Sequence, residues 1–128
     1  MILLDTCTLL WVMANDGKLS KRAKEMIEND HGPLYLSSIS AFEIGILTKK
    51  KRVMLELPFS EWIKNSIEFL AIREIPITTS IATLAADLDD IHRDPADRLI
   101  IATAIENNLT ILTPDANIHR YKDVKVIW

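Results

Sequence analysis

Short, unbroken apolar runs alternate along this chain with longer segments whose apolar residues recur every three or four positions. Ile2-Leu3-Leu4 is such a run, suited to a strand covered on both faces, and Asp5 ends it. Thr6 to Ala14 is predicted as a helix, closed by the turn residues Asn15-Asp16-Gly17. Ser20 is placed to cap a second helix reaching about Asn29, with Ala23, Met26 and Ile27 on its apolar side. Leu34-Tyr35-Leu36 reads as a second strand, and a helix from about Ser40 to Lys51 sets Ile39, Phe42, Ile46 and Leu47 on one arc. Beyond Pro58, Ser60 to Leu70 carries Trp62, Ile63, Ile67 and Leu70 at amphipathic spacing, a face for the core or for a partner. Ile72 to Ile75 is a third strand, interrupted by charge and so expected near a sheet edge. Thr79 or Ser80 caps a helix bearing Ile81, Leu84, Ala85 and Leu88, which ends in the solvated residues Asp87, Asp89 and Asp90. A helix over 95–107, a fourth strand over 110–113 and a last strand over 124–128 complete the order. Strands alternating with helices predict a three-layer α/β/α fold around a mostly parallel sheet.

Two carboxylates break this pattern. In His92-Arg93-Asp94-Pro95-Ala96-Asp97-Arg98-Leu99-Ile100-Ile101-Ala102, Asp94 is an N-cap and Pro95 the first helical residue, where its missing N–H costs nothing. At about 100° per residue, Asp97 shares an arc with Ile100, Ile101, Ala104 and Ile105, while Leu99 points the other way. A helix apolar over most of its circumference is covered on both sides, so Asp97 is a carboxylate at the head of an interior helix. An ionised group there needs a cation or good donors. The same residues also fit a capping box in which Asp97 reaches back to Asp94, so this stretch alone leaves cap and ligand open. Glu43 likewise falls inside the apolar arc of its helix, with a lysine partner as the alternative use.

The predicted fold suggests where these groups meet. In parallel α/β sheets, ligands bind beyond the carboxyl ends of the strands, where the strand order reverses. Asp5 follows the first strand, Glu43 lies on the helix after the second, Asp97 opens the helix before the fourth, and Asp115 follows the fourth. Taken singly, Asp5 serves as a helix cap and Asp115 as an Asx turn. Together in one cleft, four carboxylates raise each other's pKa unless a cation is present. An all-oxygen set selects Mg²⁺ or Mn²⁺ over zinc, and such an ion with open water positions is equipment for phosphodiester hydrolysis. His31, His92 and His119 show no ligand spacing and are expected to be surface or hydrogen-bonding residues.

Composition narrows the alternatives. The 128 residues suit one domain spanning 1–128, and 48% hydrophobic with 26% charged residues is the balance of an ordinary soluble protein. No apolar run approaches the ~20 residues of a membrane span, and the first residues lack the basic start of a signal peptide, so the expected place is the cytoplasm, with no membrane partner. Cys7 is the sole cysteine, which excludes an internal disulfide and a cysteine zinc cluster. A net charge of −3 argues against a protein that coats nucleic acid indiscriminately. Any polyanion contact is therefore local. Lys49-Lys50-Lys51-Arg52 is the dense basic run, either a solvated helix end or the place of such a contact.

The sequence resembles PIN-domain proteins of the VapC type in Leu-Leu-Asp-Thr at the start, Ser-x-x-x-x-Glu-Ile around Glu43, the 92–102 stretch, Thr-x-Asp at 113–115 and the closing Val-x-Val-Ile-Trp. The resemblance covers essentially the whole chain. It implies a five-stranded parallel sheet and a Mg²⁺- or Mn²⁺-dependent endoribonuclease, the toxin of a toxin–antitoxin pair. By the same resemblance Asp5, Glu43, Asp97 and Asp115 form the acidic quartet, Asp94 is a cap, and Thr6 and Thr113 help to hold substrate or metal water. It further implies a homodimer and a cognate antitoxin whose tail blocks the site. Cys7 stands where many relatives carry histidine, and Phe42 where many carry tryptophan. Two rivals remain: a phosphoryl-transfer domain with Asp5 as nucleophile, weakened because position 7 is cysteine and not a second aspartate, and a non-catalytic binding module of the same fold.

Overall fold

The computed structural model describes residues 1–29 and 32–128, so the expectation for His31 lies outside the described residues. Five strands, β1 (Ile2–Leu4), β2 (Leu34–Ser37), β3 (Arg73–Ile75), β4 (Thr110–Leu112) and β5 (Lys125–Ile127), form one sheet in the order β3-β2-β1-β4-β5. Every neighbouring pair is parallel, and the charge-interrupted β3 lies at an edge, as expected. Six helices, α1 (Thr6–Ala14), α2 (Lys21–Asn29), α3 (Ser38–Lys49), α4 (Phe59–Phe69), α5 (Thr79–Asp87) and α6 (Pro95–Asn107), connect them.

β1 is central because nothing in it tolerates water. Ile2, Leu3 and Leu4 are all at most 1% exposed, and their alternation assigns them to opposite faces. Ile2 and Leu4 join a cluster with Leu9 of α1, Ala23 of α2 and Ile44 of α3, flanked by Trp62, Ile63 and Ile67 of α4. Leu3 joins Ile100, Ile101 and Ala104 of α6 on the other face. α5 covers the far side of α6 through Ile81, Ala85 and Ala102. Each fully buried aliphatic side chain contributes roughly 1.5–3 kcal/mol, so the two apolar faces of one strand hold both helix layers in place.

Helix ends follow side-chain caps and differ from the periodicity by a few residues. α3 starts at Ser38 because Ser37 Oγ accepts the Ile39 N–H at 3.3 Å, and it stops at Lys49, with Lys51 at φ +57°. Thr78, instead of Thr79 or Ser80, caps α5 by accepting the Ile81 N–H at 3.2 Å. One packing expectation is overturned. Phe42, placed on the apolar arc of α3, is 65% exposed, while Ser40 and Ile44 are fully buried. α3 also runs close to α4: a Cβ on Gly45 would stand 2.9 Å from the Phe59 ring.

From β1 the chain passes to β2 and β3 on one side, then crosses to β4 and β5 on the other. The order therefore reverses between β1 and β4, whose carboxyl ends lead into Asp5 and Thr113.

Candidate metal centre

Asp5 is 5% exposed and works with both carboxylate oxygens. Oδ1 caps α1 by accepting the Thr6 N–H at 2.8 Å. Oδ2 accepts from the Thr113 hydroxyl at 2.6 Å and from the Cys7 thiol at 3.6 Å. Thr113 Oγ1 in turn accepts the Asp115 N–H at 3.1 Å, which ties the end of β4 to the end of β1. Asp115 divides its oxygens in the same way. Oδ1 accepts the N–H groups of Asn117 and Ile118 at 2.8 and 3.0 Å, an Asx turn, while Oδ2 lies 3.5 Å from His92 Nε2. Cap and turn are thus real for both residues, and each leaves an oxygen for the cleft.

α3 brings in Glu43, whose Oε1 accepts from the Thr6 hydroxyl at 2.6 Å. That hydroxyl also lies 3.0 Å from Ser40 Oγ, so two fully or nearly buried hydroxyls back the glutamate. α6 brings in the aspartates. Asp94 is its cap, accepting the N–H groups of Ala96 and Asp97 at 2.9 and 3.3 Å. Asp97 does not reach back to close a capping box; its Oδ2 lies 2.7 Å from His92 Nε2. Donor atoms of Glu43, Asp94 and Asp97 lie within 4.8 Å of one another, as do those of His92, Asp97 and Asp115.

No lysine or arginine forms an ion pair with Asp5, Glu43, Asp97 or Asp115 among the described residues. Burial raises the Asp5 carboxyl, against donation from Thr113, and raises Glu43. Asp97 is pushed up to about 8, first by burial and then by the charges of Asp5, Asp94, Glu43 and Asp115. Burial and the neighbouring Asp5 push the Cys7 thiol up to about 12, so it stays a neutral donor.

Sequence reasoning placed Asp5, Glu43, Asp97, Asp115, Thr6 and Thr113, and the fold brings these six together. It does not bring Lys49, Lys50, Lys51 and Arg52 to them: these residues are exposed around the far end of α3. Ser40 and the inward turn of His92 went unread. His92 lies in a loop without periodicity, five residues before Asp97, a spacing that no regular element converts into proximity. Its own motif, His-Arg-Asp-Pro-x-Asp, was the one available signal.

Comparisons with known proteins agree with this geometry. Residues 2–124 match the family model of the PIN domain. The chain is 35% identical over 130 residues to Ribonuclease VapC22 of Mycobacterium tuberculosis, covering 99% of this chain and 98% of that one. Among solved structures it is similar to a toxin-antitoxin complex from Klebsiella pneumoniae, with TM-score 0.71, 19% identity and 100% and 97% of the two chains covered. It is also similar to VapBC2 of Rickettsia felis bound to a promoter DNA fragment, with TM-score 0.71, 17% identity and 99% and 98% coverage.

Proposed function

This chain belongs to the PIN-domain family, and we propose from that premise that it is a divalent-metal-dependent endoribonuclease of the VapC type. The observation that carries the proposal is Asp97, a carboxylate pushed up to about 8 by burial and four other carboxylates, without a lysine or arginine partner among the described residues. Such a group is costly unless a cation joins it. The donors fit a hard ion: carboxylate oxygens from Asp5, Glu43, Asp97 and Asp115, two of them already oriented by hydroxyls. We assign Mg²⁺ or Mn²⁺ to them.

When bound, the ion acidifies a water and offsets the negative charge of the phosphodiester. The remaining work belongs to the protein. Thr113 fixes Oδ2 of Asp5, and Thr6 fixes Oε1 of Glu43, leaving Oε2 to orient the attacking water. Asp97 and Asp115, whose Oδ2 atoms both lie beside His92 Nε2, would hold the ion. Without the ion, the cleft repels RNA. The exposed basic run at 49–52 contributes at most long-range attraction, weakened by salt beyond about 8–10 Å.

The likeness to toxin–antitoxin complexes supports a cognate antitoxin as partner, and the proposal extends to a tail of that antitoxin blocking this cleft and to a homodimer as the working unit. No helix among the described residues is long and apolar enough to cross a membrane. Transfer of phosphate through Asp5 is not favoured. The residue two positions on is Cys7, whose thiol at about 12 is a poor acid. A purely binding role is not favoured either, because all four carboxylates are intact and convergent. The test is incubation of cellular RNA with the purified chain. Cleavage is expected with Mn²⁺ or Mg²⁺ and should stop in EDTA; cleavage that continues in EDTA, or a phosphorylated Asp5, would overturn the proposal.

A further inference from the structure

We propose that His92 is a nitrogen ligand of the divalent ion, completing with Asp97 and Asp115 a mixed site that favours Mn²⁺ over Mg²⁺. This rests on the assignment of a divalent ion to the carboxylate cluster. His92 Nε2 is sealed from solvent and has no hydrogen-bond partner, although Asp97 Oδ2 is 2.7 Å away and Asp115 Oδ2 3.5 Å away. Both are ion-pair separations, and neither forms a hydrogen bond. A buried, unpartnered nitrogen is expensive and calls for an occupant. Adjacent donors on an octahedral ion at about 2.1 Å stand about 3 Å apart, a value that the 2.7 and 3.5 Å separations bracket.

The ring is held in place by a built device. Arg98 spends its guanidinium on main-chain carbonyls and not on the adjacent carboxylate Asp97: Nη1 donates to Asp89 and His92 at 3.0 Å each, and Nη2 to Leu88 at 2.7 Å and Ala85 at 2.8 Å. From the other side the Tyr121 hydroxyl donates to the Asp89 carbonyl at 2.8 Å and accepts the His92 N–H at 2.9 Å. This clasp fixes the backbone on both sides of the ring. The Asp94 N–H donates to Nδ1 at 3.4 Å, a long bond that keeps the ring proton on Nε2 in the metal-free chain; an ion at Nε2 displaces that proton to Nδ1 in exchange for this bond. Imidazole suits Mn²⁺ better than Mg²⁺, which prefers oxygen and retains its waters. Glu43, Asp94 and Asp97, the neighbouring group, offer oxygen alone.

The experiment is electron spin-echo envelope modulation of the full chain loaded with Mn²⁺, with calorimetry of Mn²⁺ and Mg²⁺ on wild type and His92→Phe. A ¹⁴N coupling is expected in wild type and lost in H92F, with Mn²⁺ affinity falling about tenfold more than Mg²⁺ affinity. Mn²⁺ bound to wild type without ¹⁴N coupling, or a coupling that survives in H92F, overturns the role of His92 and leaves the carboxylate centre standing. Failure of wild type to bind Mn²⁺ at all overturns the centre itself. The wild-type spectrum decides even if H92F does not fold.

Discussion

The middle and the far end of α3 carry opposite charges under opposite conditions. At its middle Glu43 is half-buried, receives a 2.6 Å bond from Thr6 and feels the charges of Asp5 and Asp94. About 9 Å further along the axis, at 1.5 Å per residue, Lys49 begins a run of four exposed basic residues. The exposed run is hydrated and needs no partner, whereas the buried carboxylate does. Density of charge in the sequence is therefore a poor guide to function. The cost of keeping a charge where it stands is a better one, and in this molecule that cost concentrates at the carboxyl edge of β1 and β4.

The largest expected effect comes from removing that cost. The Asp97 carboxyl lies at about 8 in the folded chain against 3.8 unfolded, so between these values the folded state binds the extra proton. Stability of the metal-free chain should fall as pH rises from about 4 to about 8, then level off. Asp97→Asn should flatten that slope and stabilise the chain in EDTA at pH 8 by on the order of 1–3 kcal/mol, read from denaturant unfolding at several pH values. A variant less stable than wild type under those conditions would break the contrast between the buried carboxylates and the exposed basic run.

Thr113→Val should act in the opposite direction and somewhat less. It deprives the buried Asp5 Oδ2 of its 2.6 Å donor, with an expected loss of ~1–2 kcal/mol at neutral pH and weaker Mn²⁺ binding. Unchanged Mn²⁺ affinity would show that Thr113 does not orient Asp5 for the ion. The smallest effect is expected at the basic end. Changing Lys49, Lys50, Lys51 and Arg52 to glutamine should leave stability within about 0.5 kcal/mol and lower RNA affinity a few-fold at low salt, with a shallower salt slope. A hundredfold loss at physiological salt would place RNA on that end and sharpen the comparison the other way.

What was legible in the sequence was whatever periodicity governs. The apolar runs gave the strands, and Asp97 stood out because it shares an arc with Ile100, Ile101 and Ala104, all of which are buried. Phe42 was misplaced because a wheel assumes a single apolar side. α3 lies between two clusters, giving Ile44 to one and Ile39 to the other, so that the turn carrying Phe42 is left outside. His92 was illegible for a different reason. Its position depends on Arg98 and on Tyr121, 29 residues away, and contacts of that kind leave no spacing to read.

Mn²⁺ calorimetry on wild type and Asp97→Asn, run beside cleavage of cellular RNA, tests the metal centre most directly. Wild type should bind Mn²⁺ and cut RNA, and the variant should lose both while unfolding no earlier than wild type in EDTA. A variant that binds Mn²⁺ and cuts RNA as wild type does, yet melts earlier, would make Asp97 a structural residue and contradict the metal centre.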